Sequence, residues 1–197
     1  MSMMRLARLW STFRRETRGA AAVEMALVTA FLAYPVLNVA DIGMYAYQSM
    51  QTSNAAQAGA RAAWSKCNDS TMWPATAKCG ANGANLSSAV TLGIRSTSLA
   101  STVALANGSP TEGYYCATTT NALALAGGSA VSVGATPSNS SDGKCTQVSN
   151  AANPAATTGD YVAVAVTITY TPLFTGVKTV ASLLPSPITS TAWQRMD

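Results

Sequence analysis

The chain begins polar and basic, then turns apolar for the length of a bilayer. From Gly19 to Ala40 the one charged residue is Glu24. Those 22 residues make roughly 33 Å of helix at about 1.5 Å per residue, enough to cross a membrane. Thr29, Tyr34 and Asn38 interrupt the apolar run. Pro35 removes one backbone hydrogen bond, a loss that membrane helices tolerate better than soluble ones. Asp41 to Trp64 contains no proline and ends in the helix-forming text AAQAGARAAW. One long helix is therefore expected from Ala20 to Trp64, with Tyr45 and Tyr47 placed as interfacial aromatics would be. Ala55, Gly59 and Ala63 recur at i, i+4 and i+8 along it. Two readings of that spacing stand side by side: a stripe on which another helix packs closely, or alanine used for its helix propensity.

Beyond Trp64 the period changes. In YVAVAVTITY, Tyr161 to Tyr170, Val162, Val164, Val166, Ile168 and Tyr170 alternate with Ala163, Ala165, Thr167 and Thr169. A period of two with β-branched residues predicts a half-buried antiparallel strand, ended by Pro172. Ile188 to Met196 is expected to pair back on it. Further strands are expected to begin at Tyr114 and to cover Ala130 to Val133. LSSAVTLGIR, Leu86 to Arg95, reads as a short helix with Asn85 as its N-cap. Val177 to Leu184 reads as a helical turn, and Gly134 to Gly159 as an exposed turn-rich loop. The expected fold class is α+β. A long N-terminal helix is followed by a small disulfide-bonded domain with an antiparallel β-sheet. The segments are 1–19, a basic leader; 20–64, the apolar helix; and 65–197, the α+β domain. Leu, Ile, Val, Met and Phe supply only 25 of the last 133 residues, a thin core that cross-links would help to stabilise.

Four cysteines, Cys67, Cys79, Cys116 and Cys145, all lie beyond the apolar helix. An even number in an exported domain reads as two disulfides. Three pairings are open. The local pairs Cys67–Cys79 and Cys116–Cys145 are favoured because each closes a loop rich in small and polar residues. With no CxxC pair and no histidine in the chain, no metal site is expected. The missing histidine also removes Ser-His-Asp and Cys-His catalysis. The eight acidic residues are scattered along the sequence with no close pair. We expect neither an enzyme nor a cofactor.

Charge is placed as unevenly as hydropathy. Arg5, Arg8, Arg14, Arg15 and Arg18 fall in the first 18 residues, and from Ala20 onward seven basic residues meet seven acidic ones. A neutral body argues against nucleic-acid binding. A basic leader before an apolar helix argues for a single span with the N-terminus cytoplasmic. A signal peptide cleaved after the apolar core is the rival reading. Its sites would end at Ala33, Ala40 or Ala46, but Phe31, Asn38 and Met44 stand two residues earlier and fit poorly.

Glu24 is the expensive residue. A central carboxylate in a membrane helix costs on the order of 2.5–3.5 kcal/mol, less near an end. The helix N-terminus returns up to about 1 kcal/mol of that. A basic leader, then Gly19, then glutamate at the fifth position after it, then an apolar helix, resembles a type IV prepilin. The text RGAAAVEMALVTAFLAYPVLNVADIGMYAYQSMQTSNAAQAGARAA resembles the TadE-like family of the tight-adherence (Flp/Tad) pilus systems. Arg18, Gly19, Ala20, Ala22, Val23, Glu24, Ala26 and Leu27 fit that pattern, and Arg61 closes the segment. Met25 stands where phenylalanine is usual, and the Glu-Tyr pair of the major pilin is absent. DYVAVAVTITYTPLF, Asp160 to Phe174, is similar to the family's ending.

The resemblance implies a minor pilin or pseudopilin. It implies that a prepilin peptidase, guided by Arg18 and Glu24, cuts between Gly19 and Ala20. Its other partners would be further pilins and the Tad inner-membrane assembly machinery. The protein would be single-pass in the inner membrane with its body periplasmic, or extracellular in the pilus. Cutting exposes an α-amine on Ala20 with a pKa near 8. Glu24 of one subunit would neutralise that amine on the next and fix their axial register. The alternatives are an uncleaved, signal-anchored adhesion or binding protein and, less well matched to the composition, an exported hydrolase.

Overall fold

The computed structural model describes residues 17–99, 102–174 and 183–197. Helix α1, Thr17–Lys66, runs for 50 residues and continues through Pro35. Some of its polar side chains turn back on the helix. Thr29 Oγ1 donates to the Met25 carbonyl at 2.7 Å, and Asn38 Nδ2 donates to the Tyr34 carbonyl at 2.8 Å. Such back-bonding removes the penalty of an unpaired polar group on an apolar helix. Val23, Met25, Phe31, Val36 and Val39 are all exposed.

The chain forms two compact units. One holds α1 as far as Met44 together with Pro172–Leu184. Within it the Leu173 N–H donates to Oδ1 of the wholly buried Asp41 at 2.9 Å. The other, the body, is Tyr45–Thr171 with Pro185–Asp197. Nearly half of the long helix, residues 45–66, thus belongs to the body, and the boundary expected at 64/65 falls inside it. Tyr45, expected as an interfacial aromatic, packs within the body. Its ring stands edge-on to Tyr170 at 5.2 Å, and its hydroxyl donates to the Pro185 carbonyl at 3.4 Å.

The body is built on a six-stranded antiparallel sheet. Its strands are β1 Ala104–Leu105, β2 Thr111–Ala117, β3 Leu123–Leu125, β4 Val131–Ser132, β5 Gly159–Ile168 and β6 Ile188–Arg195. Along one side of β5, β6 pairs from Tyr161↔Arg195 to Ile168↔Ile188. Along the other lie β2, from Thr111↔Ala163 to Tyr115↔Gly159, and β1. β3 and β4 pair with the far side of β2. The expected strand at Tyr161–Tyr170 starts and stops two residues earlier, because Gly159 and Asp160 already pair with β2. For the same reason β2 begins at Thr111 rather than Tyr114. β1 and β3 span two and three residues, too short for periodicity to reveal them.

Val162, Val164 and Val166 are fully buried on the sheet face that receives the helices. α3, Ala84–Arg95, brings Leu86, Val90 and Ile94 to the same core. Its N-cap is Gly83, left-handed at φ 76°, and not Asn85. The turn Ala81–Gly83 runs straight into the helix, so Asn85 is already inside it and its N–H donates to the Cys79 carbonyl at 3.0 Å. α1 and α3 touch glycine against backbone. A Cβ on Gly93 would lie 2.7 Å from Ala62 Cβ and 2.8 Å from the Ala58 carbonyl oxygen. One on Gly59 would lie 2.8 Å from Ile94 Cγ2 and 3.1 Å from Val164 Cγ1.

Both disulfides take the favoured pairing. Cys67–Cys79 closes 12 residues with Cα atoms 5.6 Å apart, and Cys116–Cys145 closes 29 with Cα atoms 5.8 Å apart. In the loop-entropy description each contributes about 3–3.5 kcal/mol. The first joins the end of α1 to the short helix α2, Ala75–Lys78. The second organises the turn-rich stretch, which is folded rather than a free loop. Cys116, Ala126, Cys145 and Val148 form a small buried cluster there, and bridges Thr118↔Ala151 and Lys144↔Thr157 tie the stretch down. The helical turn expected at Val177–Leu184 lies almost entirely outside the described residues.

Candidate functional site

Two places carry chemistry. The first is the start of α1. Arg18, Gly19 and Ala20 lie in its opening turns, and Glu24 follows one turn after Ala20 on the same face. Gly19 and Glu24 are exposed, and nothing stands within 4 Å of where a Gly19 Cβ would sit. Among the described residues no hydrogen bond or ion pair engages Glu24. α1 is also the one described helix long and apolar enough to cross a membrane. Gly19 and Glu24 thus stand exposed on a helix whose first half presents apolar side chains outward.

The stripe Ala55, Gly59 and Ala63 belongs elsewhere. Ala55 and Ala63 are fully buried in the body, and Gly59 sits under Ile94 and Val164. The close packing that small residues permit is used here within one chain, by α3 and β5. The four cysteines are likewise internal and bonded to one another.

The second place was not foreseen. Acidic residues far apart in sequence are brought together on neighbouring strands. Glu112 on β2 is paired in register with Val162, two residues from Asp160 on β5. Side chains on one sheet face at such diagonal positions are within reach of each other. Glu112 is wholly buried and Asp160 is 3% exposed. Glu112 is held by the start of α2. The Ala75 N–H donates to Oε1 at 2.6 Å, while the Thr76 N–H and Thr76 Oγ1 donate to Oε2 at 2.7 and 2.5 Å. Asp160 Oδ1 is buried and, among the described residues, accepts no hydrogen bond. Burial first, then the negative Glu112 beside it, pushes the Asp160 carboxyl up to about 8. Asp197 completes the group. Its Oδ1 accepts from the Asp160 N–H at 3.2 Å and from Arg195 Nε at 2.7 Å. Tyr114, opposite Asp160, has its phenol pushed up by burial and then by these carboxylates. A glutamate inside TEGYYCA and an aspartate opening YVAVAV were the signals available: single acids within strand text.

Among the described residues no group of three or more His, Cys, Asp or Glu side chains is arranged to hold a metal ion. With its oxygens committed to Ala75 and Thr76, Glu112 fastens the first disulfide loop to the sheet.

No curated protein and no solved structure matches the chain. A family model described as TadE-like protein matches residues 19–61. That stretch starts at Gly19 and carries Glu24 and the exposed apolar face of α1. Residues 19–61 are thus similar to the TadE-like family, a match that covers 43 of the 197 residues.

Proposed function

We propose that the chain is a minor pilin or pseudopilin, a structural subunit that takes part in assembling a Tad-type type IV pilus. In this reading a prepilin peptidase recognises Arg18 and cuts between Gly19 and Ala20, and Glu24 then sets the register between subunits. The first half of α1 holds the protein in the inner membrane with its N-terminus cytoplasmic, and then packs among other pilins as the Tad assembly machinery extracts it. The body stays on the far side of the membrane, where two disulfides persist. Its work is mechanical and non-catalytic, with no cofactor. The observation that carries the reading is a TadE-like segment whose Gly19 and Glu24 both stand exposed on an apolar helix. The bidentate anchoring of Glu112 supports a structural rather than a catalytic use of the acid pair.

N-terminal sequencing and intact mass of the protein from its native host test it. Ala20 is the expected first residue. A functioning pilus containing the uncut chain would instead favour a signal-anchored binding protein. Glu24→Ala is expected to be inserted and cut as before. An unneutralised amine in apolar surroundings costs several kcal/mol, so recovery of this variant in sheared filaments should fall at least about tenfold. Normal recovery would remove the register role of Glu24.

A further inference from the structure

We infer that the body binds one structural proton between the carboxyls of Glu112 and Asp160, and that this proton latches the first disulfide loop onto the sheet.

The hydrogen-bond geometry supports it. Thr76 Oγ1 owns a single hydrogen but stands 2.5 Å from Glu112 Oε2 and 2.8 Å from the Ala135 carbonyl oxygen. With Glu112 ionised both neighbours are acceptors, and the hydroxyl satisfies only one. Asp160 is 97% buried, yet its Oδ1 receives no N–H or hydroxyl donor. Strand register sets the buried Glu112 carboxyl diagonal to it on the same sheet face. Two ionised carboxylates on neighbouring strands inside a protein repel each other. One added proton on Asp160 relieves the repulsion and gives the carboxyl a hydrogen to aim at Glu112. The proton belongs to the pair.

The surrounding groups do not supply a cation in its place. Arg195 on β6 is bonded to Asp197, and that carboxylate adds to the negative field. Tyr114 on β2 and Tyr161 on β5 are phenols, which carry no positive charge in either form. Lys78 on α2 and Lys66 at the end of α1 are exposed.

The direction of the pH effect follows from linkage. The folded Asp160 carboxyl holds its proton up to about 8, whereas a free aspartate releases it near 3.9. The folded state therefore binds more protons through this window. Its stability is full below about 4 and declines as pH rises towards about 8.

The test uses the full chain in detergent micelles. Its melting temperature is expected to fall by on the order of 5–10 °C between pH 5 and 8, then level. Exchange of the Ala75 and Thr76 amides should rise over the same range more steeply than base catalysis alone explains. In Asp160→Asn an amide donor replaces the titrating hydroxyl, so the melting temperature should be nearly level and exceed the wild type above pH 8. A level wild-type profile, an equal slope in the variant, or amides that follow base catalysis alone would each overturn the proposal. Should Asp160→Asn not fold, carboxyl carbon shifts of the five aspartates in the wild-type chain decide. One midpoint near 8 supports the bound proton. Five midpoints all below about 5 rule it out.

Discussion

Glu112→Ala is expected to destabilise the body by about 3–5 kcal/mol, the range for breaking a buried hydrogen-bonded charge network from one side. The alanine leaves the N–H groups of Ala75 and Thr76 without their acceptor. Each orphaned buried donor costs about 1–3 kcal/mol. The short helix α2 has no other side-chain cap, since Pro74 at its N-cap makes none. A partial compensation comes from Asp160, which no longer faces a like charge and returns towards an ordinary carboxylate. Glu112→Gln separates the contributions. It keeps one carbonyl oxygen for one backbone N–H but turns an NH2 group towards the other donors, so it should lose part of the stability that alanine loses. Thermal unfolding of the full chain in detergent measures both. A Glu112→Ala variant within about 1 kcal/mol of wild type would show that α2 is not held by this carboxylate.

The second large effect is expected at the helix crossing. Gly93→Val should cost about 3 kcal/mol or more, the upper range for overpacking. Its new Cβ would stand 2.8 Å from the Ala58 carbonyl oxygen and 3.1 Å from Gly59 Cα, both backbone atoms of α1. Backbone atoms of a helix cannot rotate aside as a side chain does. The two helices must part, and Leu86, Val90 and Ile94 then lose their seat against β5. A body of this size would melt roughly 6–12 °C lower for such a loss. Gly43→Ala is the matched control. Nothing lies within 4 Å of a Cβ at Gly43, which is also helical. There the usual helix preference for alanine should prevail, leaving stability unchanged or raised by up to about 1 kcal/mol. If Gly93→Val melts with the wild type, the close crossing is not what seats α3.

Much of this molecule can be read without coordinates. The apolar period of α1, the alternation along β5, the pairing of β6 and the local disulfides all follow from interactions between residues near in sequence or from a single dominant periodicity. The Gly19–Glu24 text is equally local, which is why a family resemblance could rest on it. Other features needed the fold. The alanine stripe offered two readings, and only the placement of Gly93, Ile94 and Val164 shows that its small residues are filled from within the chain. Tyr45 had the spacing of an interfacial aromatic, yet Tyr170, far along the chain, receives it.

The acid pair shows the division most clearly. Each acid, read alone, is an isolated charge at a strand end, and nothing in its neighbours' hydropathy says what it meets. Strand register brings Glu112 and Asp160 together, and the start of α2 commits Glu112. Sequence determined the elements, because helix and strand preferences act over a few residues. Tertiary structure alone decided which charges and small residues share a site, because a contact across the sheet or between helices depends on register and crossing geometry. Neither is encoded by any one segment.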